Sequence, residues 1–165
     1  MSPFHAPLRV YGSELSYFTG KLEAYLRYKA IPYERIAMTA RHFNRTIPRA
    51  TGAAQMPAVE LPDGRWMTDT TPIIAWLETQ VPEPPVIPPD PLQAFVSLLL
   101  EDYADEWLWR PAMHYRWSFR GDALLASRRL ADELLPEIKA PGALKRLAMR
   151  RRQRGGFVTG DGVDA

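Results

Sequence analysis

Six prolines fall within the eleven residues Val81–Pro91 of this 165-residue chain, and they constrain everything on either side. Proline removes a backbone donor and fixes φ, so such a run is stiff and extended and cannot be a helix. It reads as a linker between two units of different pattern. The expected division is a first domain over 1–80, the linker over 81–91, and an all-helical unit over 92–165. With 46% hydrophobic residues, the chain has apolar content to bury.

Before the linker, strand and helix patterns alternate. Leu8-Arg9-Val10-Tyr11 reads as a short strand closed by Gly12. Phe18, Leu22, Tyr25 and Leu26 then fall on one face of a helix, with Glu23 and Arg27 as an i,i+4 pair on its wet side. Pro32 stops that helix, and Tyr33–Met38 reads as a second strand. Residues 39–55 are expected to be irregular, since Pro48 and Gly52 limit any helix there. Ala58–Leu61 and Arg65–Met67 flank Pro62-Asp63-Gly64, which is strong hairpin-turn chemistry. Thr71-Pro72 opens another helix, with Thr71 as its cap and Ile73, Ile74 and Leu77 facing inward. The order β-α-β-(irregular)-β-β-α predicts an α/β domain with a mixed four-stranded sheet and helices on its faces.

After the linker, Leu92, Phe95, Val96, Leu99, Leu100, Tyr103 and Trp107 trace a long helical stripe, with Asp90 and Pro91 at its cap and first turn. Pro111 marks a break, and Pro136 and Pro141 leave Asp122–Glu137 and Leu144–Arg152 as further helices. The aromatic stretch 104–117 is expected to be core, and Glu106, Arg110 and His114 to form a charge ladder. Lys139, Lys145, Arg146, Arg150, Arg151, Arg152 and Arg154 follow one another with no acid between them. Too few helices to cover the stripe, together with this basic run, predict an incomplete helical unit. Poor order is expected from the run onward, into a glycine-rich tail over Gly155–Ala165.

Composition narrows the chemistry. There is no cysteine, so disulfides, zinc–thiolate sites and catalysis by a protein thiol are excluded. Any thiol must come with a ligand. His5, His42 and His114 form no local metal-ligand pattern, and no metal is expected. A net charge of +2 is too small to argue for nucleic acid. The basic run reads as the wet side of an amphipathic helix. No apolar stretch is long enough to cross a bilayer and no signal peptide is visible, so a cytoplasmic protein without membrane or nucleic-acid partners is expected.

The loop before the first helix carries Ser13, Ser16, Tyr17 and Thr19. A helix N-terminus exposes unpaired N–H groups and partial positive charge, so an anion sits well there. If the anion is a thiolate, lowering its pKa from about 8.5 by about two units asks for roughly 2.7 kcal/mol. One charge-assisted hydrogen bond plus the dipole reaches that. The plainer reading is that Ser16 or Tyr17 caps the helix. Spacing alone leaves both open.

Tyr11-Gly12-Ser13-Glu14-Leu15-Ser16-Tyr17-Phe18, continuing through Ala30-Ile31-Pro32-Tyr33-Glu34, resembles the start of bacterial glutathione S-transferases. That family opens with a strand, a Ser/Cys-Pro-Tyr/Phe turn, a helix and Gly-Ile-Pro-Tyr-Glu. Gln55-Met56-Pro57-Ala58-Val59 resembles its Val-Pro segment, and Thr68-Asp69-Thr70-Thr71-Pro72 its Glu/Asp-Ser motif. The likeness covers 8–80. It implies a thioredoxin-like domain followed by a helical domain, here shortened. It also implies a transferase that stabilises the glutathione thiolate for attack on a small apolar electrophile, with glutathione as co-substrate and a homodimeric assembly. The alternative is a noncatalytic binding or interaction module of the same fold.

By position, the resemblance places Ser16 against the glutathione sulfur. Tyr17, standing where the family has proline, is the alternative donor, and Tyr11 is a third contender. It implies that Met56 pairs its backbone with the cysteinyl part of the tripeptide and that Pro57 is cis. Asp69 and Thr70 would hold the γ-glutamyl group, with Gln55 and His42 near the glycine carboxylate.

Overall fold

The computed structural model describes residues 4–160. They form two compact units, one reaching to Pro85 and including Glu133–Glu137, the other made of the remainder.

The first unit runs β1 (Leu8–Gly12), α1 (Tyr17–Tyr28), β2 (Tyr33–Ala37), a π-helical turn (His42–Thr46), α2 (Ile47–Thr51), β3 (Ala58–Glu60), β4 (Trp66–Thr68) and α3 (Thr70–Gln80). Its sheet has the order β2-β1-β3-β4. β1 is parallel to β2, as a crossover through α1 requires, and antiparallel to β3, which pairs with β4 as a hairpin. This is the mixed four-stranded, thioredoxin-like arrangement expected from the sequence.

Side chains alternate across the sheet. Tyr11 and Ala58 face one side, in a cluster with Met38 and Ile47 that Ile36, Phe43, Met56 and Trp66 border. Val10 and Val59 are buried on the other side. Leu22 and Leu26 of α1, and Ile73 and Leu77 of α3, are also fully buried. At Gly12 a Cβ would lie 2.5 Å from Cγ2 of Thr19, so any side chain there must displace Thr19, and β1 ends hard against α1.

Two local expectations change. The stretch 39–55 contains a short helix, because Pro48 sits in its first turn, where no N–H is needed, and Gly52 ends it at φ 82°. The cap of α3 is Asp69 rather than Thr71: its carboxylate accepts the Thr71 N–H at 3.2 Å. Both residue types cap well, and the carboxylate reaches the orphan donors first.

At the other end of α1 lies a buried ion pair. Lys29, whose side chain is fully enclosed, places Nζ 2.8 Å from Glu78. It also donates to the carbonyls of Pro82 and Pro84 at 3.2 and 2.7 Å. Tyr25 donates to the same Glu78 carboxylate at 2.6 Å.

The second unit contains α4 (Pro91–Glu106), α5 (Trp109–Ser118), most of α6 (Arg120–Leu134), α7 (Gly142–Gln153) and a π-helical segment (Arg154–Gly160). Asp90 caps α4 through the Gln93 N–H at 2.9 Å, with Pro91 in the first turn. No residue of α4 is buried. The aromatic stretch is core only in part. Trp117 is buried and Met113 nearly so, but Trp107 and Tyr115 are well exposed. The chain breaks between α4 and α5, so Glu106, Arg110 and His114 do not share one helix face, and Arg110 instead lies over the rings of Trp107 and Trp109.

Most of the basic run lies in α7, and Arg154 opens the π-helical segment that follows. Met149 and Val158 are buried, and Phe157 packs edge-on against Trp109. Arg150, Arg151 and Arg152 sit in the last turn of α7, where the helix dipole favours cations. The rest of the expected tail, from Asp161, lies outside the described residues. Among those described, no helix is long and apolar enough to cross a membrane.

Candidate functional site

Register brings the sequence candidates together. Tyr11 pairs with Ala58, and Ala58 with Thr68, so the end of β1, the start of β3 and the end of β4 lie side by side. Gly12 pairs with Ala37, which adds the end of β2. The segments just beyond these strand ends carry Ser16, Met56-Pro57, Asp69-Thr70 and, after β2, His42. Both α1 and α3 begin there, and Lys21 Nζ, from the second turn of α1, donates to Thr71 Oγ1 in the first turn of α3 at 3.4 Å.

Ser16 is the cap of α1: its Oγ accepts the Thr19 N–H at 3.2 Å. No described residue accepts the Ser16 hydroxyl hydrogen. The capping and donating roles are therefore compatible, because a hydroxyl has one hydrogen as well as its lone pairs. Tyr17, the first residue of the helix, is exposed and meets Phe18 edge to face.

The Met56–Pro57 bond is cis, as is Glu83–Pro84. Met56 is half-buried beside the Tyr11 cluster, and its own N–H and C=O bond to no described residue. That leaves one backbone donor and one acceptor open just ahead of β3. Asp69 adopts φ 71° and ψ 122°, outside the common left-handed well. Such a conformation costs of order 1–3 kcal/mol and clusters at ligand sites. Its exposed carboxylate and the buried Thr70 flank the first N–H groups of α3.

Tyr11 is placed otherwise. Its ring lies in the core between His42 and Trp66, and its hydroxyl donates to Glu60 at 3.0 Å. Burial first, then the Glu60 carboxylate, pushes its pKa up. A tyrosine so held keeps its proton for Glu60. The His42 Nδ1 accepts the Thr39 N–H at 3.2 Å, which leaves Nε2 as the ring's donor. Gln55 is exposed just ahead of Met56. Among the described residues no group of three or more His, Asp or Glu is placed to hold a metal.

Sequence reasoning missed one residue here. Glu133, which groups with the first unit, accepts from the Ser13 hydroxyl at 2.5 Å and from the Glu14 N–H at 3.2 Å. No local pattern could announce a partner 120 residues away.

The arrangement suits an extended ligand that carries an anion at one point and an α-amino acid at another. One helix start and a hydroxyl serve the first; a second helix start and a carboxylate serve the second.

Residues 10–85 match the family model for the glutathione S-transferase N-terminal domain. Solved structures share the fold. A glutathione S-transferase from Methylobacterium radiotolerans, in complex with glutathione sulfonate, is 22% identical with a TM-score of 0.56, covering 92% of this chain and 64% of that one. One from Rhodospirillum rubrum F11 is 20% identical with a TM-score of 0.58, covering 90% and 62%. The beta-etherase LigF from Sphingobium sp. strain SYK-6 is 20% identical with a TM-score of 0.61, covering 96% and 68%. The chain thus spans less than two thirds of the length of the first two. No curated protein matches the sequence.

Proposed function

Residues 10–85 belong to the glutathione S-transferase N-terminal domain family, and from that premise we propose that the chain is a glutathione transferase acting on a small apolar electrophile. In this reading 1–80 is the glutathione-binding domain, 81–91 the linker and 92–165 the helical domain. The supporting observation is the one described above: an uncommitted Ser16 hydroxyl hydrogen, an open Met56 backbone and a strained Asp69 cap meet at one end of the sheet.

The Ser16 hydroxyl donates to the glutathione sulfur and the start of α1 adds its dipole, so the thiol loses its proton more readily. The thiol proton passes to solvent and the thiolate attacks the electrophilic carbon. As the C–S bond forms, either a leaving group departs with its electron pair or a π bond opens and takes a proton from solvent. Catalysis is then stabilisation and placement of charge rather than covalent chemistry by the protein. Met56 pairs with the cysteinyl amide as an added strand would. Asp69 and Thr70 hold the γ-glutamyl group, and Gln55 and His42 lie toward the glycine carboxylate. The exposed apolar side chains of α4, Leu92, Phe95 and Leu99 among them, support a homodimer, which sedimentation would test.

Substitution at the two hydroxyls tests the assignment. Ser16→Ala is expected to cut turnover with glutathione by about 10²-fold, the cost of losing one such donor, and to raise the apparent thiol pKa. Tyr17→Phe should change little. The reverse pattern transfers the role to Tyr17. Retention on immobilised glutathione without any turnover would favour the noncatalytic module.

A further inference from the structure

The loop from Ser13 to Ser16 is tied into one hydrogen-bonded chain, and Glu133 is at its far end. Ser13, 1% exposed, donates its hydroxyl to Glu133 while the same oxygen accepts the Leu15 N–H at 3.3 Å. The Ser13 N–H turns to Thr19 Oγ1 at 3.4 Å, and its carbonyl accepts the Ser16 N–H at 3.0 Å. Thr19 in turn donates to Ser16 Oγ. With the Glu14 N–H also on Glu133, that carboxylate takes two donors from a loop of four residues.

The charges around it do not cancel. Arg35 of β2 is engaged by Glu14 at 2.9 Å and by Glu23 of α1 at 3.8 Å. The bond to Glu14 is the main cause that raises the Arg35 pKa, with Glu23 and Glu133 contributing by charge alone. Glu23 also meets Arg27 at 3.5 Å, so the three carboxylates Glu14, Glu23 and Glu133 are set against two guanidinium groups and the local charge stays negative. On α6 itself the neighbouring charges are Arg129 and Asp132, with Glu137 beyond its end.

We propose that Glu133 is a positioning residue for the bound thiol: its carboxylate pins the loop that presents Ser16, and its negative charge opposes ionisation at the sulfur. The inference rests on the transferase reading for its second half only. Pinning is a property of the free protein. The two halves pull in opposite directions on the thiolate. A chain that kept the hydrogen bonds and lost the charge would ionise its thiol more readily.

Glu133→Gln and Glu133→Ala in the full chain separate them. Amide hydrogen exchange in the free protein reads the pin. Glu133→Ala should speed exchange at Glu14 and Leu15 by about tenfold, as expected when two hydrogen bonds to a charged group are lost, and Glu133→Gln, which keeps an acceptor, much less. Thiolate absorbance of bound glutathione against pH reads the charge. Glu133→Gln should lower the thiol pKa by about half a unit or more relative to the parent chain. Unchanged exchange in Glu133→Ala overturns the pin. An unmoved or raised pKa in Glu133→Gln, with glutathione bound, overturns the charge effect alone. Failure of the parent chain to bind glutathione overturns the transferase reading and the charge effect with it, while exchange still judges the pin.

Discussion

Helices α1 and α4 carry comparable apolar stripes, Phe18-Leu22-Tyr25-Leu26 in one and Leu92-Phe95-Leu99-Tyr103 in the other. Four of the twelve residues of α1 are buried, and none of the sixteen of α4 is. The less exposed side of α4 is its small and polar one, with Ala94, Ser97, Glu101, Ala104 and Asp105, while Leu92 stands 71% exposed. Periodicity states which residues share a face. It does not state which face is covered. In α1 the crossover from β1 to β2 imposes the answer, because a parallel pair leaves the connecting helix packed on its own sheet. For α4 nothing in the local pattern does.

Matched leucine truncations test that contrast most strongly. Leu26→Ala removes a fully buried side chain and should cost about 2–5 kcal/mol, transfer and cavity together. Leu99→Ala, on the exposed face of α4, should stay within about 0.5 kcal/mol at low protein concentration. Urea titrations of the two variants give the comparison directly. Equal losses would mean that α4 is covered in solution.

Glycine substitutions sharpen it at smaller scale. Gly12→Ala drives a methyl into Thr19 and should cost about 1–3 kcal/mol, the usual range for overpacking. Gly121, near the start of α6, has no atom within 4 Å of where its Cβ would be. There the same change should stabilise by up to about 1 kcal/mol, through helix propensity. A neutral Gly12→Ala would show that β1 and α1 are less tightly apposed than described.

Alkaline pH probes the lower end of the same α1 face. Burial, then the Glu78 carboxylate, raises the Tyr25 pKa well above its ordinary 10.0. The folded chain keeps that proton where the unfolded chain loses it. The contribution of Tyr25 is therefore intact below pH 10.0 and declines above it, by about 1.4 kcal/mol per pH unit for one proton. Tyr25→Phe should flatten that decline in denaturation midpoints measured between neutral and strongly alkaline pH. An unchanged slope would assign the decline to other groups.

What the sequence made legible was what neighbours in the chain decide. Pro32, Pro62-Asp63-Gly64 and Asp90-Pro91 act within a few residues, and the strands and helices they bound are where they were expected. The family motifs marked Ser16, Met56, Asp69 and Thr70, and the register of β1, β3 and β4 explains why those distant stretches can meet. Thr71 and Asp69 are both sound caps two residues apart, and geometry alone separates them. Tyr11 contends as a donor in the sequence, and only the fold shows that Glu60, 49 residues away, takes its hydroxyl. Glu133 and the outward face of α4 depend on contacts that no local pattern encodes. The basic run shows the same limit: its charge is visible in the sequence, while the burial of Met149 and Val158 is not.

The smallest expected effect concerns the side of the comparison that is buried in the second unit. Trp117 is fully enclosed, and its Nε1–H has no acceptor among the described residues. An unmet buried donor costs about 1–3 kcal/mol in the folded state. Trp117→Phe removes that donor but also the second ring's contacts, and a residual cavity costs about 24 cal/mol per Å³. The two contributions have opposite sign and similar size, so the net change should lie within about 1 kcal/mol of zero. Trp117→Leu gives up far more packing for the same relief and should be clearly destabilising. Denaturation midpoints followed by circular dichroism compare the two. A loss well above 1 kcal/mol for Trp117→Phe would mean that the indole N–H is satisfied in solution, by a water held inside the helical unit.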